Sequence, residues 1–354
     1  MQKQLSLEIA PEMESITLGE GNTPLIRSTC AGPALGLSNL FFKLENCNPS
    51  GSYKDRFVVN EIRRCLRNNI SACVATSSGN TGSSLAAYCA RYGVRCFVVV
   101  NADAPAGKLE QMQAHSAQVF RVNGFISSPE TTRSVFDVLS RLALERNIPL
   151  IVSAFRYCPE GMSGVESISH ELHNQLPGIE HVFVPVGGGG LYSAVCRGFR
   201  NGNVRGPRIH AVQPSACSTV VAAFERGDDE IVPIESRTRV SGLSVPFDID
   251  ASLALGLLRE CGGTGFAVED DEVFEAQQLM LGKEGIYCEP AGAAALAGLG
   301  RAVKQGIVKA DDSVVCLVTG HGFKDPESIR RAAASSTNKA IDVDELERSL
   351  LESA

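Results

Sequence analysis

The sequence has no tryptophan, no two cysteines at C-x-x-C spacing and no long apolar run. Without such a pair, its 12 cysteines predict neither a zinc ribbon nor a thioredoxin-type redox pair. The longest apolar run, residues 291–299, is too short to span a bilayer. The first residues lead into no apolar segment, so we expect no secretory signal and a reduced, cytoplasmic protein.

Positive charge is not in excess either, because 33 lysines and arginines face 40 acidic residues, a net charge of −7. This balance gives no sign of the basic surface that binds nucleic acid or anionic membranes, so we expect neither as a partner. Hydrophobic residues make up 44% of the chain and charged residues 21%. That composition is ordinary for a globular protein and excludes a disordered one.

The 354 residues exceed the usual size of a single hydrophobic core, so we expect two lobes. Short, continuously apolar runs alternate with segments of helical periodicity, which is typical of parallel strands covered by helices. The pattern predicts an α/β fold. The predicted strands are 39–44, 72–75, 96–100, 118–122, 150–153, 181–186, 208–212 and 313–319. The predicted helices are 55–68, 82–92, 107–115, 129–146, 164–175 and 342–351.

Lys54 lies in the segment Asn48-Pro-Ser-Gly-Ser-Tyr-Lys-Asp-Arg56, where a proline, a glycine and two serines predict a rigid turn before a helix. The positive end of a helix dipole is unfavourable for an ammonium in the first helical turn. A lysine shielded from water at that place can act as a nucleophile. Taken alone, however, the motif is more typical of a surface lysine in a capped turn.

Two further segments predict anion binding at the start of a helix. Thr76-Ser-Ser-Gly-Asn-Thr-Gly82 combines hydroxyls and backbone N–H groups, which suit a carboxylate or phosphate, with the directional amide of Asn80. In Pro185-Val-Gly-Gly-Gly-Gly-Leu191, four glycines let the backbone close around a phosphate. This run lacks the spacing of nucleoside triphosphate and dinucleotide loops. Either segment is also compatible with a simple turn, but the place of the glycines after a predicted strand favours binding.

Three other polar segments are less specific. Val318-Thr-Gly-His-Gly322 ends the last long strand, and its His321 is predicted about equally to contact a ligand or to be structural. Glu289 precedes a helix of small residues and is either structural or part of a site. In His170-Glu-Leu-His173 the histidines are three residues apart, unlike the four of H-E-x-x-H. We therefore predict a solvated helix face there and no metal site.

In this order, the motifs resemble those of the fold-type II pyridoxal-phosphate enzymes, the tryptophan synthase β superfamily. Within that group the chain is most similar to threonine synthase. The resemblance implies pyridoxal 5'-phosphate in a cleft between two lobes, each a twisted, mostly parallel sheet flanked by helices, and a homodimer. The segments that carry it are Gly21-Asn-Thr-Pro-Leu25, Ser52-Tyr-Lys-Asp-Arg56, Ser78-Gly-Asn-Thr-Gly82, Ala106-Gly-Lys-Leu109 and Thr319-Gly-His-Gly-Phe-Lys-Asp325.

The resemblance also implies roles for individual residues. Lys54 is expected to hold the cofactor as a Schiff base and to move protons. Asn80 is expected to bond the phenolic oxygen of the cofactor, and Thr319 to face its pyridine nitrogen. The residues expected around the cofactor phosphate are Gly187, Gly188, Gly189, Gly190 and Leu191. Those expected at the substrate carboxylate are Ser77, Ser78 and Thr81, and those at a second anion, such as a substrate phosphate, are Lys108, Ser153 and Arg156.

The chain departs from the threonine synthase pattern at several places. Tyr53 stands where phenylalanine is usual, and Phe57 where glycine is usual. Residues 187–191 replace the common Gly-Asn-Gly-Gly-Asn and look more like the loop of a dehydratase or a β-replacing enzyme. Residues 154–161 alter the usual Asn-Pro-Tyr-Arg-x-Glu-Gly segment, which helps to recognise the substrate. The resemblance therefore leaves the substrate open.

Three domains or segments are expected: a small inserted α/β domain at 56–152, a large cofactor-binding α/β domain of 1–55 and 153–340, and a C-terminal helix at 341–354. The expected enzyme is a threonine synthase-like lyase, which removes phosphate from O-phosphohomoserine and adds water to give L-threonine. The alternative is elimination or replacement at Cβ of serine, threonine or O-phosphoserine, as in dehydratases and cysteine or cysteate synthases. A non-enzyme alternative is a silent homologue that binds an amino acid.

Overall fold

The computed structural model describes residues 15–104, 106–126, 128–201, 206–334 and 340–353, without the side chains of 106–108, 129, 201 and 353. Its strands are β1 (Leu25–Arg27), β2 (Asn39–Lys43), β3 (Ala72–Ala75), β4 (Arg95–Asn101), β5 (Gln118–Val122), β6 (His181–Pro185), β7 (Arg208–Pro214), β8 (Gly265–Val268) and β9 (Ser313–Leu317). The strands form two sheets, one of six strands and one of three.

The helices lie between these strands or, for the last two, after them. They are α1 (Ala31–Ala34), α2 (Lys54–Arg67), α3 (Asn80–Tyr92), α4 (Ala106–Ala114), α5 (Pro129–Arg146), α6 (Pro159–Val165), α7 (Ser167–Gln175), α8 (Gly190–Asn201), α9 (Thr219–Arg226), α10 (Ala251–Glu260), α11 (Asp270–Leu279), α12 (Pro290–Lys304), α13 (Pro326–Ala333) and α14 (Val343–Ser353). A π-helical turn, Met280–Glu284, continues α11.

The six-stranded sheet has the order β1-β2-β9-β6-β7-β8. Only β1 is antiparallel to its neighbour, and the other pairs are parallel. All five residues of β6 are buried, as expected for a central strand covered on both faces. Because parallel strands end at the same edge of a sheet, the loops after β6 and β9 open toward one side, where ligands bind in folds of this kind.

The three-stranded sheet has the order β3-β4-β5, and both pairs are parallel. Alternate residues of its strands point to opposite faces. One set, which includes Cys73 and Val98, belongs to the large core with α2 and α3, and the other, with Val74 and Val99, meets α5. All strands of this sheet come from residues 72–122. The division into domains at residues 56 and 152 stays a prediction.

The predicted α/β class is confirmed, but two predicted elements are wrong. Residues 150–153 form no strand; only Leu150 pairs, in an isolated bridge with Val74, because the chain then turns, with the N–H of Ala154 bonded to the oxygen of Val152. The single helix predicted at 164–175 is two helices. The first, α6, begins at Pro159 and ends at Val165. At the next residue the backbone changes to a tighter hydrogen bond: the N–H of Glu166 donates to the oxygen of Ser163, three residues back.

A buried ion network ties α2 to α7. The Arg56 guanidinium lies 2.7 Å from Glu45 and 2.6 Å from Glu171, and Glu171 also accepts from Lys43 at 2.5 Å. Burial alone would raise the pKa of Glu171, but the hydrogen bonds and charges of Arg56 and Lys43 lower it to about 2. The prediction of a solvated face at His170–His173 is therefore wrong for Glu171, although both histidines are exposed.

Candidate active site

Lys54 is the first residue of α2, and its Nζ donates to Ser153 Oγ at 2.6 Å. Ser153 Oγ also lies 3.0 Å from Thr81 Oγ1, near the start of α3. The ammonium is 4.5 Å from the centroid of the Tyr53 ring. Three residues that the sequence assigned to one site thus come together from three separate segments.

The loop before Lys54 is bonded to the loop after β9. Ser52 forms an antiparallel bridge with Gly320, and the N–H of Tyr53 donates to the oxygen of Thr319 at 3.2 Å. Thr319 itself is buried, with 4% of its surface exposed. These backbone bonds fix the start of α2 against the end of the central sheet. They place Lys54 and Thr319 on the same side of the molecule.

The four glycines join β6 to α8, which begins at Gly190. Gly189 has φ +96°, and a Cβ at this position would lie 2.5 Å from the carbonyl oxygen of Asp250. A Cβ at Gly190 would lie 3.3 Å from the oxygen of Ser153. At Gly189 only glycine fits, and the backbone N–H groups of this turn open a helix, which suits a phosphate. Leu191, the next residue, is buried. The hydroxyl of Ser153 binds Lys54 and its carbonyl oxygen lies near Gly190, so an amine and a phosphate-binding loop are close to the same residue, which suits a ligand with an aldehyde and a phosphate.

Asn80 opens α3, and its Nδ2 donates to Glu289 Oε1 at 2.8 Å. Glu289 precedes α12 and is buried; its N–H bonds to the oxygen of Gly320 at 3.0 Å. A Cβ at Gly320 would overlap the Glu289 carboxylate. The amide of Asn80 is therefore held beside the Thr319 loop.

The other predicted substrate residues are placed less tightly. Ser77 and Ser78 lie in the partly exposed loop between β3 and α3. Arg156 is exposed, and its backbone N–H donates to Asp250 at 3.1 Å. Within the described part of the chain, no hydrogen bond joins the Arg156 side chain to the group around Lys54. The Lys108 side chain lies outside the described residues.

Sequence reasoning missed Asp250. Its N–H donates to the oxygen of Gly188 at 2.9 Å, and its carboxylate accepts from the N–H groups of Phe155, at 2.7 Å, and Arg156. Burial, with a smaller contribution from Asp248, raises the pKa of Asp250 against these hydrogen bonds. Asp250 thus connects the glycine loop with the segment after Ser153. The only signal in the sequence is an aspartate before a helical segment.

His321 lies between two aromatic rings. The centroid of its ring is 5.2 Å from that of Tyr287 and 4.5 Å from that of Phe323. Burial, and then the charge of Lys324, lowers the pKa of His321. The ring therefore packs as part of an aromatic cluster.

Neither a metal centre nor a membrane segment is found in the described residues. No group of three or more histidine, cysteine or acidic side chains there could hold a metal ion. None of the described helices combines the length and the apolar character needed to cross a membrane. All 12 cysteines are free. A separate apolar cavity of about 510 Å³ lies between the small sheet and α5, and it shares no lining residue with the site around Lys54.

Comparison with known proteins is consistent with this geometry. Residues 16–320 match the family model described as "Pyridoxal-phosphate dependent enzyme", and the chain belongs to this family. The threonine synthase of Methanocaldococcus jannaschii is 34% identical over 354 residues, covering 98% of this chain and 85% of that protein. The threonine synthase of Methanosarcina acetivorans is 32% identical over 326 residues, covering 90% and 78%.

Among solved structures, the serine racemase of Dictyostelium discoideum matches with a TM-score of 0.70 at 25% identity. The match covers 85% of this chain and 92% of that one. The protein is therefore a fold-type II enzyme that depends on pyridoxal phosphate. The predictions of its family, fold class and cofactor are confirmed.

Proposed function

We propose that this enzyme is a threonine synthase, which eliminates phosphate from O-phosphohomoserine and adds water to give L-threonine. The observation that carries the proposal is 34% identity to a threonine synthase over 98% of this chain. The proposal assigns the cofactor to Lys54, through a covalent bond to its amine, to Asn80 and Thr319, and to the loop of residues 187–191. Bound there, pyridoxal phosphate supplies a sink for the negative charge that develops when a proton leaves substrate carbon.

The remaining chemistry falls to the side chains of the chain itself. Nζ of Lys54 is the proposed base that takes the proton from Cα and later returns protons to the substrate. The 2.6 Å bond to Ser153 Oγ fixes the direction in which Nζ points. The substrate carboxylate is assigned to Thr81, Ser77 and Ser78, where the start of α3 offers N–H groups and a favourable dipole. The second anion is assigned to Ser153, Lys108 and Arg156.

The test is a panel of O-phosphohomoserine, O-phosphoserine, threonine and serine, with phosphate, threonine and keto acids measured as products. We expect threonine and phosphate in equal amounts from O-phosphohomoserine alone. Lys54→Ala should abolish turnover, whereas Lys309→Ala, which changes an exposed lysine, should not alter it. Turnover of O-phosphohomoserine by Lys54→Ala at the wild-type rate would refute the assignment of the base.

A second candidate is elimination or replacement at Cβ of serine, threonine or O-phosphoserine. It is favoured by the four-glycine loop and by the structural likeness to a serine racemase at 25% identity. Release of keto acid from serine or threonine, with O-phosphohomoserine inert, would select it. A silent amino-acid-binding homologue would instead turn over nothing and bind its ligand normally after Lys54→Ala.

The resemblance further supports a homodimer in the cytoplasm, which we include in the proposal. Light scattering during size-exclusion chromatography of the cofactor-loaded protein tests the first point. Elution at the mass of one chain across micromolar concentrations would contradict it.

A further inference from the structure

Asp55, the residue after Lys54, is a fully buried carboxylate whose bonded partners are all neutral. It accepts from the N–H of Ser50 at 2.6 Å, from the Ser50 hydroxyl and from the Ser84 hydroxyl. No ion pair of the described residues includes Asp55. Burial raises its pKa, and the bonds from Ser50 and Ser84 oppose this change, as does the charge of Lys324. A buried carboxylate stays ionised only when such compensation is sufficient.

Lys324 follows the Thr319 loop and is linked to the same serine. Its Nζ donates to Gln111 Oε1 at 2.6 Å, and Gln111 Nε2 donates to the oxygen of Ser50 at 3.1 Å. The chain of contacts therefore runs from the loop after β9, through α4, to the loop that precedes Lys54. Gln111 is neutral, so the ammonium of Lys324 has its charge compensated only at longer range.

The charged and titratable groups that face Lys324 are Glu289, Asp55 and His321. Burial lowers the pKa of Lys324 to about 8, against the charges of Glu289 and Asp55. Glu289 binds Asn80 of the proposed cofactor site, and Asp55 is the residue that follows Lys54. The positive charge of Lys324 therefore interacts with both carboxylates, Glu289 and Asp55.

We propose that Lys324 is a positioning residue for Lys54: through Gln111 it holds Ser50, and its positive charge favours the ionised Asp55 that binds Ser50 and Ser84, so that Lys54 points toward Ser153. The physical reason is the number of acceptor sites. An ionised carboxylate accepts all three hydrogen bonds, whereas a protonated one must use one oxygen as a donor. A proton on Oδ2 would displace the N–H of Ser50, and a proton on Oδ1 would turn a serine hydroxyl from donor to acceptor, so protonation would rearrange the bonds to Ser50 or Ser84.

This inference rests on the proposed role of Lys54, but not on the identity of the substrate. A lysine amine displaced by about 1 Å loses much of its advantage in a reaction that depends on orientation, on the order of a hundredfold in rate. The loop of residues 50–53 is the element that would move, because Ser50 binds both Asp55 and Gln111. Replacing Lys324 should therefore disturb Lys54 without any direct contact between them.

The primary experiment is a carbon-13 NMR titration of aspartate carboxyl groups in the cofactor-loaded protein. Asp55→Asn identifies the Asp55 signal by its loss. In Lys324→Met we expect Asp55 to titrate about one pH unit higher than in wild type, which is a tenfold change in proton affinity. Lys324→Arg, which keeps the charge, should restore most of the difference, and Lys309→Met, at an exposed lysine, should leave Asp55 unchanged.

The second measurement reports on Lys54. Borohydride reduction in the presence of pyridoxal phosphate, followed by mass spectrometry, gives the rate at which Lys54 becomes modified. We expect a several-fold slower rate in Lys324→Met, with the greatest deficit at low pH where Asp55 is protonated. In an Asp55→Asn background, Lys324→Met should add no further pH dependence.

An unchanged Asp55 titration in Lys324→Met overturns the inference. So does a shifted Asp55 titration with wild-type modification of Lys54. If Asp55 shifts and Lys54 reacts slowly, yet O-phosphohomoserine yields no threonine, the proposed function fails while the inference stands. The two failures are therefore distinguishable.

Discussion

The N–H of Asp250 donates to the oxygen of Gly188 at 2.9 Å, which brings the start of α10 against the four-glycine loop. The carbonyl oxygen of the same aspartate lies so close to Gly189 that a Cβ at this position would be 2.5 Å from it. The loop is therefore held in shape by its neighbour as well as by its own sequence.

Gly189→Ala should weaken binding of pyridoxal phosphate at least tenfold, because the methyl group must push the loop away from Asp250. Absorbance titration of the cofactor measures the dissociation constant. Gly178→Ala is the matched control, since Gly178 also has positive φ, +85°, but nothing within 4 Å of its Cβ. Both variants should lose about 1–2 kcal/mol of stability from backbone strain, but only Gly189→Ala should lose cofactor affinity. Equal affinities in the two variants would contradict this assignment.

Ser153→Ala should lower kcat roughly 2–10-fold, because a hydrogen bond contributes about 0.5–1.5 kcal/mol and here orients the amine of Lys54. Thr81 also loses a partner, at 3.0 Å. Initial rates at saturating substrate check this. The control is Ser163→Ala, whose hydroxyl binds the oxygen of Glu160 in α6, away from Lys54. A wild-type kcat in Ser153→Ala would show that Ser153 does not orient the lysine.

Glu171→Gln should cost about 3–5 kcal/mol at pH 7, because it leaves the buried charges of Arg56 and Lys43 without their shared partner. The pKa of Glu171, about 2 in the fold against an ordinary 4.5, means that its ionisation stabilises the fold above pH 4.5. That contribution is lost as the pH falls through about 2, so the deficit of the variant should shrink in acid.

Urea unfolding at a series of pH values measures this difference. Glu260→Gln is the control, because Glu260 pairs with Arg200 on the surface and both side chains are 58% exposed. Such a pair contributes about 0–1 kcal/mol. A deficit of Glu171→Gln that does not depend on pH would contradict the role given to its carboxylate.

Val135→Leu should stabilise the fold by about 0.5–2 kcal/mol, because the extra methylene extends into the cavity beside α5 and leucine favours a helix over valine. Thermal unfolding of the loaded protein measures the gain. Val315→Leu is the opposite case, since Val315 is fully buried in β9. Overpacking there should cost about 1–3 kcal/mol. A destabilised Val135→Leu would indicate that the cavity is not free to accept the side chain.

The sequence by itself determined the α/β class, through local signals, and the family and the cofactor, through the resemblance that its ordered motifs carry. Continuous apolar runs predicted buried parallel strands, and glycines and hydroxyls at strand ends predicted anion loops. The lysine motif had little weight alone and became specific only in order with the other segments. Local propensity also misled, since residues 150–153 have the composition of a strand but turn toward the site.

Only the tertiary structure decided which distant groups meet. Lys54 and Ser153 are 99 positions apart, and Arg56 and Glu171 are 115 apart. No local pattern marks Glu171 as buried, Asp250 as a support of the glycine loop, or Lys324 as a cation that interacts with two carboxylates. The physical reason is that periodicity and turn chemistry act over a few residues, whereas ion pairs and desolvation depend on what the folded chain brings within a few ångströms.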